Sequence, residues 1–568
     1  MFTADLRQSL RPPVKRRLGL ALVVATLVAG VSGPAFADAP PEQSGPGNTT
    51  APTGIVQPPP DGGGPVAIAR DKAKKDGRPV TVDELTTETS LTVANPDGTL
   101  TRTDHLQPTR VKKDGGWAQV DASLARNTDG SWSPKATPSG VRLSGGGSGP
   151  LVTFTDAAGR SMSLTLPFAL PTPTVTGDEA LYPSVLPGVD LKATVNDQGA
   201  FREVLIVHDA AAAANPALKP LRLATSTHGL TASTDQDGNL TSKDADGTAV
   251  FAAPTPVMWD SATAPATAPD TQQAPAADGS LAAADSAVVD TTDRTVSSAD
   301  GPGRGARLTA LKVASDASSI TLTPDQAQLS SPDTVWPLYI DPYVNPAPGG
   351  TNHFTEVKEG CPSQQLYDNG QDNGEGAGYQ QYSSSCFGLY RAFYEFNISN
   401  LDSRMVISKS TLYFTETHGG DADCSHTLPV TLKLTGGINS NTAWPGPGVV
   451  STIGTQTPKS ANVNANCGHQ PVNFDVTGVV SQYKTNGNLT FGLYGNESKT
   501  STNYGFMRFS LNPYMETVFD VPPNTPDQLG TTPATSKRAF DTGLGCCKRF
   551  RAEVLPGSVR AGGQSGGH

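Results

Sequence analysis

The sequence is short of positive charge, of cysteine and of long apolar runs. It contains 42 Lys and Arg against 53 Asp and Glu among 568 residues, which gives a formal net charge of −11. This balance argues against a nucleic-acid partner, because the phosphates of nucleic acids are bound by clustered Lys and Arg side chains. The charge is ordinary for a soluble secreted protein.

The long apolar run of the chain lies near the N-terminus, at residues 18–33 (LGLALVVATLVAGVSG). A basic stretch precedes it and Ala35-Phe36-Ala37 follows, which is typical of a secretory signal cleaved between Ala37 and Asp38. The alternative is a membrane anchor, but the run is shorter than the ~20 apolar residues of a spanning helix. No later segment is apolar enough to cross a bilayer. We therefore expect a secreted, extracellular protein with no membrane contact after cleavage.

Cysteine is missing from the first 360 residues, and six cysteines follow. In an exported chain, Cys361, Cys386, Cys424 and Cys467 are best interpreted as two disulfides. Four cysteines allow three pairings, and we favour Cys361–Cys386 and Cys424–Cys467 because each pair encloses one polar loop. No CxxC or CxxxC spacing occurs among the four, so a zinc site is the weaker alternative.

Sequence signatures of catalysis are also missing. There is no Gly-x-Ser-x-Gly elbow in a strand–turn–helix setting and no glycine loop followed by Lys-Ser or Lys-Thr. The eight histidines never form HxH, HxxxH or HExxH. A pair of carboxylates for glycoside cleavage could come together only in the folded chain, and nothing in the sequence points to one. We therefore expect no catalytic residues and no enzymatic activity.

Glycine and proline are abundant, at 59 and 48 residues, and apolar residues alternate over short runs. Asp-Gly pairs such as Asp114-Gly115 recur between strand-like segments, which is a strong hairpin signal. Helical spacing is confined to short segments such as TGVVSQYKTNG (477–487). The pattern predicts an all-β fold class, with two β-sandwich or jelly-roll domains joined by flexible segments and one short helix in the second.

Shifts in composition divide the chain into five segments. We expect a signal peptide over 1–37, a disordered Pro/Gly-rich leader over 38–78, a β-sandwich-like region over 79–345 with a low-complexity insertion at 260–303, a jelly-roll domain over 346–522, and a linker with an irregular tail over 523–568. That tail contains the adjacent cysteines Cys546 and Cys547 and an excess of basic residues, and it shows no strand pattern. We therefore expect a disrupted reading frame near residue 535, which the other frames of the encoding DNA would test.

Three motifs in the 346–522 segment resemble the DNRLRE domain family. The strand pair of that family is similar to RAFYEFNISNLDSRMVISKSTLYFTE (391–416). Its helix-to-strand unit is similar to FDVTGVVSQYKTNGNLTFGL (474–493), and its closing strand is similar to NPYMETVFDVPPNTP (512–526). In RAFYEFNI, alternation puts Ala392, Tyr394, Phe396 and Ile398 on one strand face. The order of the motifs matches, although the family's name-giving hexapeptide is not found verbatim.

The resemblance implies a jelly roll related to carbohydrate-binding modules and implies no catalytic residues. The preceding segments, LPTPTVTGDEALYPSVLPGVDL (170–191) and VFAAPTPVMWDS (250–261), resemble the region before such domains in large secreted actinobacterial proteins. Those proteins often continue into LamG-like jelly rolls or RHS/YD repeats. Some family members are attached to polysaccharide-degrading enzymes.

Four aromatic residues of this domain are candidate ligand-binding residues. Their faces would stack on sugar rings while nearby Asn, Gln and Asp bind hydroxyls. These residues are Tyr367, Tyr379, Tyr382 and Trp444. The alternative is that the tyrosines pack their loop against the sheet. Trp444 lies where the resembled family usually has a Trp, which suggests a structural role.

The loop between Cys361 and Cys386 is also a candidate calcium site. Asp368, Asp372 and Glu375 lie in a run rich in side-chain oxygens, which calcium prefers, although the spacing does not fit an EF-hand. A structural calcium ion is therefore the one cofactor that we consider. Loop closure by a disulfide of this span removes roughly 3–4 kcal/mol of freedom from the unfolded chain in the chain-entropy model, so we expect a stapled surface loop.

A second polar segment, THGGDADCSH (417–426), contains two histidines and two aspartates near Cys424. We interpret it as a surface loop pinned by a disulfide, with a metal site as the minority alternative.

These features predict a secreted, non-catalytic β-sandwich protein that binds extracellular polysaccharide or cell-wall material through its DNRLRE-like domain. The alternative is the N-terminal scaffold of a larger secreted LamG or RHS/YD-repeat protein, with no ligand of its own. A polysaccharide-degrading enzyme is the third and least favoured interpretation. The expected partner is polysaccharide or other cell-surface material, not nucleic acid.

Overall fold

The computed structural model describes nine stretches of the chain, all within one compact unit. These stretches are residues 64–235, 238–263, 296–303, 305–346, 351–368, 374–380, 386–462, 465–499 and 505–522. The expected signal cleavage at Ala37 and Asp38, the segment 38–63, residues 264–295 of the insertion and the 523–568 tail lie outside the described residues.

Short strands dominate the described residues, and the helices are few and short. The α-helices are α1 (Pro65–Asp76), α2 (Ala210–Ala213), α3 (Gln326–Ser330) and α4 (Thr477–Tyr483), with 3-10 turns at Asp83–Leu85 and Pro216–Leu218. The strands before residue 106 are β1 (Val80–Thr81), β2 (Ser90–Ala94) and β3 (Leu100–His105). The strands between residues 110 and 346 are β4 (Arg110–Lys113), β5 (Gly116–Gln119), β6 (Asp121–Arg126), β7 (Trp132–Ala136), β8 (Gly140–Leu143), β9 (Val152–Thr155), β10 (Ser161–Thr165), β11 (Thr174–Thr176), β12 (Glu179–Leu186), β13 (Val189–Val195), β14 (Phe201–Val207), β15 (Leu221–His228), β16 (Thr231–Thr234), β17 (Leu240–Lys243), β18 (Ala249–Ala253), β19 (Val257–Trp259), β20 (Leu308–Ala310), β21 (Lys312–Asp316), β22 (Ser319–Thr323), β23 (Leu338–Asp341) and β24 (Tyr343–Pro346). The strands after residue 350 are β25 (His353–Lys358), β26 (Glu375–Gln380), β27 (Gly388–Asn397), β28 (Val406–Gly419), β29 (Val430–Thr435), β30 (Val449–Gln456), β31 (Gln470–Asp475), β32 (Asn488–Tyr494), β33 (Met507–Phe509) and β34 (Tyr514–Asp520). The all-β expectation is confirmed.

Two antiparallel sheets form a first sandwich. One sheet has the order β21-β22-β15-β10-β9-β8-β7-β6, and the other has β11-β12-β13-β14-β24-β18-β17-β16 with β19, β20 and β23 beside it. Phe154 of β9 contacts Phe201 of β14 and Phe251 of β18, with ring centroids 5.6 and 5.5 Å apart. Because these rings come from different sheets, the two sheets pack face to face around one apolar core.

The second sandwich is one long sheet that folds back on itself. Its order is β1-β2-β3-β34-β28-β33-β26-β27-β32-β29-β30, with β25 beside β27 and β31 beside β28. The rings of Tyr394 on β27 and Phe414 on β28 lie 5.2 Å apart, although these strands are not neighbours in the sheet. Their core also contains Ala392, Phe396 and Ile398, so the inward face expected for RAFYEFNI is confirmed. The expected short helix is α4, which packs on this core.

The N-terminal segment from α1 to β3 belongs to the second sandwich. Strand β3 pairs with β34, with Leu100 directly opposite Phe519. Helix α1 buries Ala73 in the same core, and Arg70 Nη2 donates to Asp520 Oδ1 at 2.8 Å. The structure therefore differs from the expected division, in which a leader ends at 78 and the first domain begins at 79. The physical reason is that a single sequence shows which face of a strand is apolar but not which strand pairs with it.

The disulfides are Cys361–Cys386 and Cys424–Cys467, whose partners are 25 and 43 residues apart in the sequence. Both expected pairings are confirmed. Cys361 and Cys386 are buried against Tyr390 of β27, on the inner side of that strand. Two disulfides fit an extracellular protein. In the part of the chain that the structure describes, no helix is long and apolar enough to cross a membrane.

Candidate functional site

Strand β27 carries apolar core residues on one face and a different set on the other. Tyr394 and its neighbours of the same parity point into the core. The opposite parity places Leu389, Arg391, Phe393 and Glu395 on the outer face. We call this outer face, together with the loops that pack on it, the aromatic face.

Two of the predicted ligand-binding residues pack on the same cluster of the aromatic face. Tyr367 and Trp444 both pack against an apolar cluster that includes Phe393 of β27 and Tyr494 of β32. Both side chains are half-buried, so part of each ring is open to solvent. Tyr367 comes from the loop after β25 and Trp444 from the loop between β29 and β30. Strand pairing therefore brings together aromatic residues that are far apart in the sequence.

Arg391 holds Trp444 in place. Its guanidinium carbon lies 4.5 Å from the Trp444 ring centroid and 4.9 Å from the Tyr494 ring centroid. Its Nη1 donates to the carbonyl of Pro445 at 2.9 Å, and its Nε donates to Glu497 Oε1 at 2.7 Å. A planar cation stacked on aromatic faces and paired with a carboxylate fixes both rings, because each contact restricts the guanidinium plane.

The loop that carries Trp444 approaches the sheet closely. Gly446 has φ +87°, and a Cβ atom there would lie 2.5 Å from Phe393 Cζ. Glycine is therefore required at this position both for the backbone conformation and for the space. Glu395 anchors the start of the loop, because its Oε2 accepts hydrogen bonds from the Ile438 backbone N–H at 3.2 Å and from Thr490 Oγ1 at 2.5 Å.

Tyr367 is held by a pair of ionisable groups. Its ring stacks on His353 at a centroid distance of 4.9 Å. His353 Nδ1 lies 2.8 Å from Asp368 Oδ2, and Asp368 Oδ1 accepts the Phe354 backbone N–H at 3.1 Å. Burial lowers the pKa of His353, but the hydrogen bond and charge of Asp368 outweigh burial and raise that pKa overall. Burial also raises the pKa of the Tyr367 hydroxyl.

Tyr379 lies at the other end of β27, opposite Leu389. It is 8% exposed and makes an edge-to-face contact with Phe387, with ring centroids 5.4 Å apart. Phe387 is 47% exposed, which makes it the more accessible ring of the two. The predicted residue Tyr382 lies outside the described residues.

Glu375, one of the predicted calcium ligands, is buried among charged groups. Burial and the charge of Glu356 raise the pKa of Glu375. Glu356 Oε1 lies 3.1 Å from Lys358 Nζ, and the Lys358 Nζ lies 5.3 Å from the Tyr390 ring centroid. Glu375 is thus part of a buried cluster of charged side chains.

The calcium hypothesis stays a prediction. Within the described ranges, no group of three or more His, Cys, Asp or Glu side chains is placed to hold a metal ion. Asp368 uses its oxygens on His353 and Phe354, and Asp372 falls outside those ranges.

In the 417–426 loop, His426 Nδ1 lies 2.8 Å from Asp421 Oδ2 and its Nε2 lies 3.3 Å from Asp423 Oδ2. The hydrogen bond to Asp421 and the charge of Asp423 raise the pKa of His426. These contacts fit the surface-loop interpretation of this segment.

The sequence analysis missed Arg391, Phe387 and Tyr494, which contribute to the aromatic face. The signal for Arg391 was present in RAFYEFNI, because the residues that alternate with the apolar face must point outward. Tyr494 gave a similar signal, because it alternates with the core residues Leu489, Phe491 and Leu493 of β32. Phe387 gave no such signal, since it precedes the alternating run of β27.

No protein-family model matches this sequence, and no curated protein matches it. Among solved structures, the chain is similar to the crystal structure of BuGH86E322Q in complex with neoagarooctaose, with a TM-score of 0.15 and 10% identity over 59% of this chain and 34% of that one. It thus spans about a third of that chain's length. It is also similar to the T13 IBDV viral particle, with a TM-score of 0.11 and 11% identity over 64% and 72% of the two chains. It is similar as well to the VP2 subviral particle of infectious bursal disease virus, with a TM-score of 0.11 and 13% identity over 70% of this chain and 70% of that one. TM-scores this low do not establish a shared fold.

Proposed function

We propose that this chain is a secreted, non-catalytic β-sandwich protein that binds extracellular polysaccharide through the aromatic face of a DNRLRE-like domain. One observation carries the proposal: Tyr367 and Trp444, from two separate loops, pack against the same apolar cluster on one sheet face, with Trp444 stacked on Arg391. Partly exposed aromatic rings held rigidly beside hydrogen-bonding groups are suited to stack on the apolar faces of sugar rings.

The surroundings of the rings support binding rather than chemistry. Glu497 is paired with Arg391, Asp368 with His353, and buried Glu395 accepts hydrogen bonds from Ile438 and Thr490. These carboxylates already have partners that fix the rings and the loops.

The direct test is retention of the full chain on insoluble glycans. We expect the wild-type chain to be retained on at least one of cellulose, β-mannan, xylan, β-1,3-glucan and peptidoglycan. Tyr367→Ala and Trp444→Ala should weaken retention because each removes a stacking surface. The matched controls are Tyr413→Ala and Trp117→Ala, which remove half-buried rings elsewhere on the molecule. Melting temperatures of all four variants separate loss of binding from loss of fold.

Three results would contradict the proposal. Retention of the wild-type chain on none of these glycans would favour the scaffold interpretation, in which the chain supports a larger secreted protein and has no ligand of its own. Equal loss of retention in the Tyr413 and Tyr367 variants would show that the aromatic face is not the binding surface. Release of reducing ends during incubation would point to the enzyme alternative.

A further inference from the structure

The exposed rings of the aromatic face lie in a row along β27. Phe387 lies two residues before Leu389, which belongs to the outer face with Arg391, and its ring contacts Tyr379 opposite Leu389. Arg391 lies four residues after Phe387 and carries the Trp444 ring. The register of β27 thus orders the first two rings along one line.

The third ring follows at the far end of the strand. Glu395 is four residues beyond Arg391 and lies directly opposite His353 of β25. His353 carries the stacked ring of Tyr367. Because a strand rises about 3.3 Å per residue, Arg391 and Glu395 are about 13 Å apart along β27, and Phe387, directly before the strand, extends the row beyond that length. A span of this size is much longer than a single sugar ring.

The charges of this face are matched within the protein. Arg391 is paired with Glu497, Lys499 with Glu359, and His353 with Asp368.

Among the described residues of this face, Lys433 is a further cation, and its Nζ lies 3.8 Å from the Tyr494 ring centroid. The carboxyl group of Glu395 is buried on the same face. A polyanionic ligand would meet carboxylates as well as cations among the described residues of this face, so the face offers it little attraction.

We propose that the aromatic face binds one extended stretch of an uncharged, linear polysaccharide that lies along β27 and contacts Phe387, Trp444 and Tyr367 in turn. This inference rests on the proposed function and specifies its ligand class. It assigns Phe387 as the third contact, at the edge of the loop closed by the first disulfide.

The test measures affinity against ligand length with the full chain. The probes are cello-, manno-, xylo- and laminari-oligosaccharides from the monosaccharide to the octasaccharide, with oligogalacturonates as the anionic comparison, all measured by calorimetry. We expect the affinity for the neutral series that binds to rise with length until the oligomer reaches all three rings. Raising the salt concentration should leave that affinity unchanged.

Phe387→Ala tests the third contact. A partly exposed ring contributes a stacking interaction worth about 3- to 10-fold in affinity, so this variant should lose that factor for long oligomers only. Short oligomers that occupy Trp444 and Tyr367 should bind it as they bind the wild type. Leu181→Ala is the matched control, because Leu181 is an exposed apolar side chain in the first sandwich and should affect neither series. Both residues are exposed, so both variants should fold.

The outcomes separate this inference from the proposed function. Three results would overturn the inference and leave polysaccharide binding in place. The affinity would not change with oligomer length, or the Phe387→Ala variant would bind long oligomers like the wild type. The third is tight, salt-sensitive binding of oligogalacturonate alone. Absence of binding to every glycan would instead overturn the proposed function and this inference with it.

Discussion

At the scale of single residues, Arg391 is the connection between the strand and the aromatic rings. It contacts Trp444, Tyr494, Pro445 and Glu497 at once. Lysine carries the same charge but has neither the planar group that stacks on rings nor the paired donors that match a carboxylate. The contacts of Arg391 therefore depend on the guanidinium group and not on its charge alone.

We predict that Arg391→Lys lowers the free energy of unfolding by about 1–2 kcal/mol, from lost stacking and charge-assisted hydrogen bonds. Urea denaturation of the full chain measures this change. The matched control is Arg222→Lys. Arg222 and its partner Asp316 are both exposed, so this substitution should change the free energy of unfolding by less than about 0.5 kcal/mol. Equal effects of the two substitutions would contradict the role that we assign to Arg391.

Buried carboxyl groups give the protein a pH dependence. Burial raises the pKa of Glu416 to about 8, while the backbone N–H of Ala461 opposes this shift. The folded state therefore keeps the Glu416 proton at a pH where the unfolded state has lost it. The stabilisation from this group is fully present below the unfolded pKa of about 4.5 and is lost as the pH rises through about 8.

We predict that Glu416→Gln reduces the loss of stability between pH 5 and pH 9, because the amide cannot ionise. Denaturation curves at a series of pH values measure the slope. Glu516→Gln, on the outer face of β34, is the control and should leave the slope as in the wild type. If Glu416→Gln also leaves the slope unchanged, the buried carboxyl does not titrate as stated.

At the scale of elements, the two disulfides are expected to stabilise the fold to a similar extent but to differ in their effect on the aromatic face. Their sequence separations of 25 and 43 residues correspond to roughly 3.5 and 4 kcal/mol in the chain-entropy model. The Cys361–Cys386 loop carries Tyr367 and leads into Phe387. The Cys424–Cys467 segment includes Trp444, but its two cysteines lie in the β28–β29 and β30–β31 loops, and Trp444 lies in the separate β29–β30 loop.

We predict that replacing both Cys361 and Cys386 by Ser weakens glycan retention, whereas replacing Cys424 and Cys467 leaves retention of the folded protein intact. Retention is measured at a temperature where both variants remain folded, as judged by circular dichroism. Equal retention by the two double variants would show that the first disulfide does not position the rings.

The strands were predictable from the sequence where alternation was clear, and their partners were not. RAFYEFNI showed its core face because Ala392, Tyr394 and Phe396 alternate with other residues. The Asp114-Gly115 turn was predictable because its positive φ angles suit Gly and Asp. The packing of Tyr367 and Trp444 on the same cluster could not be predicted, since it depends on the pairing of β25, β27, β32 and β29, and local pattern does not encode pairing between distant strands.

At the scale of the whole molecule, the beginning and the end of the described chain are joined. Strand β3 pairs with β34, and α1 packs on the same core, so residues 65–105 complete a sandwich that is otherwise formed after residue 350. The first sandwich is inserted between these parts in the sequence. The stability of the candidate binding domain therefore depends on a segment far from it in the chain.

We predict that Leu100→Ala lowers the stability of the second sandwich by about 2–5 kcal/mol, because the side chain is fully buried opposite Phe519. Leu91→Ala, at a half-exposed position of β2, is the matched control and should cost less. Thermal unfolding followed by near-ultraviolet circular dichroism measures both changes. A sandwich that melts at the same temperature in the wild type and in Leu100→Ala would contradict the contribution of the N-terminal segment.

The central claim is that Trp444 belongs to a polysaccharide-binding surface. The most direct measurement is the intrinsic tryptophan fluorescence of the full chain during titration with a neutral oligosaccharide long enough to span the aromatic face. We predict a saturable change in the wild type that is lost in Trp444→Phe and retained in Trp117→Phe. A wild-type spectrum that stays unchanged throughout the titration, or a change that persists in Trp444→Phe, would contradict the claim.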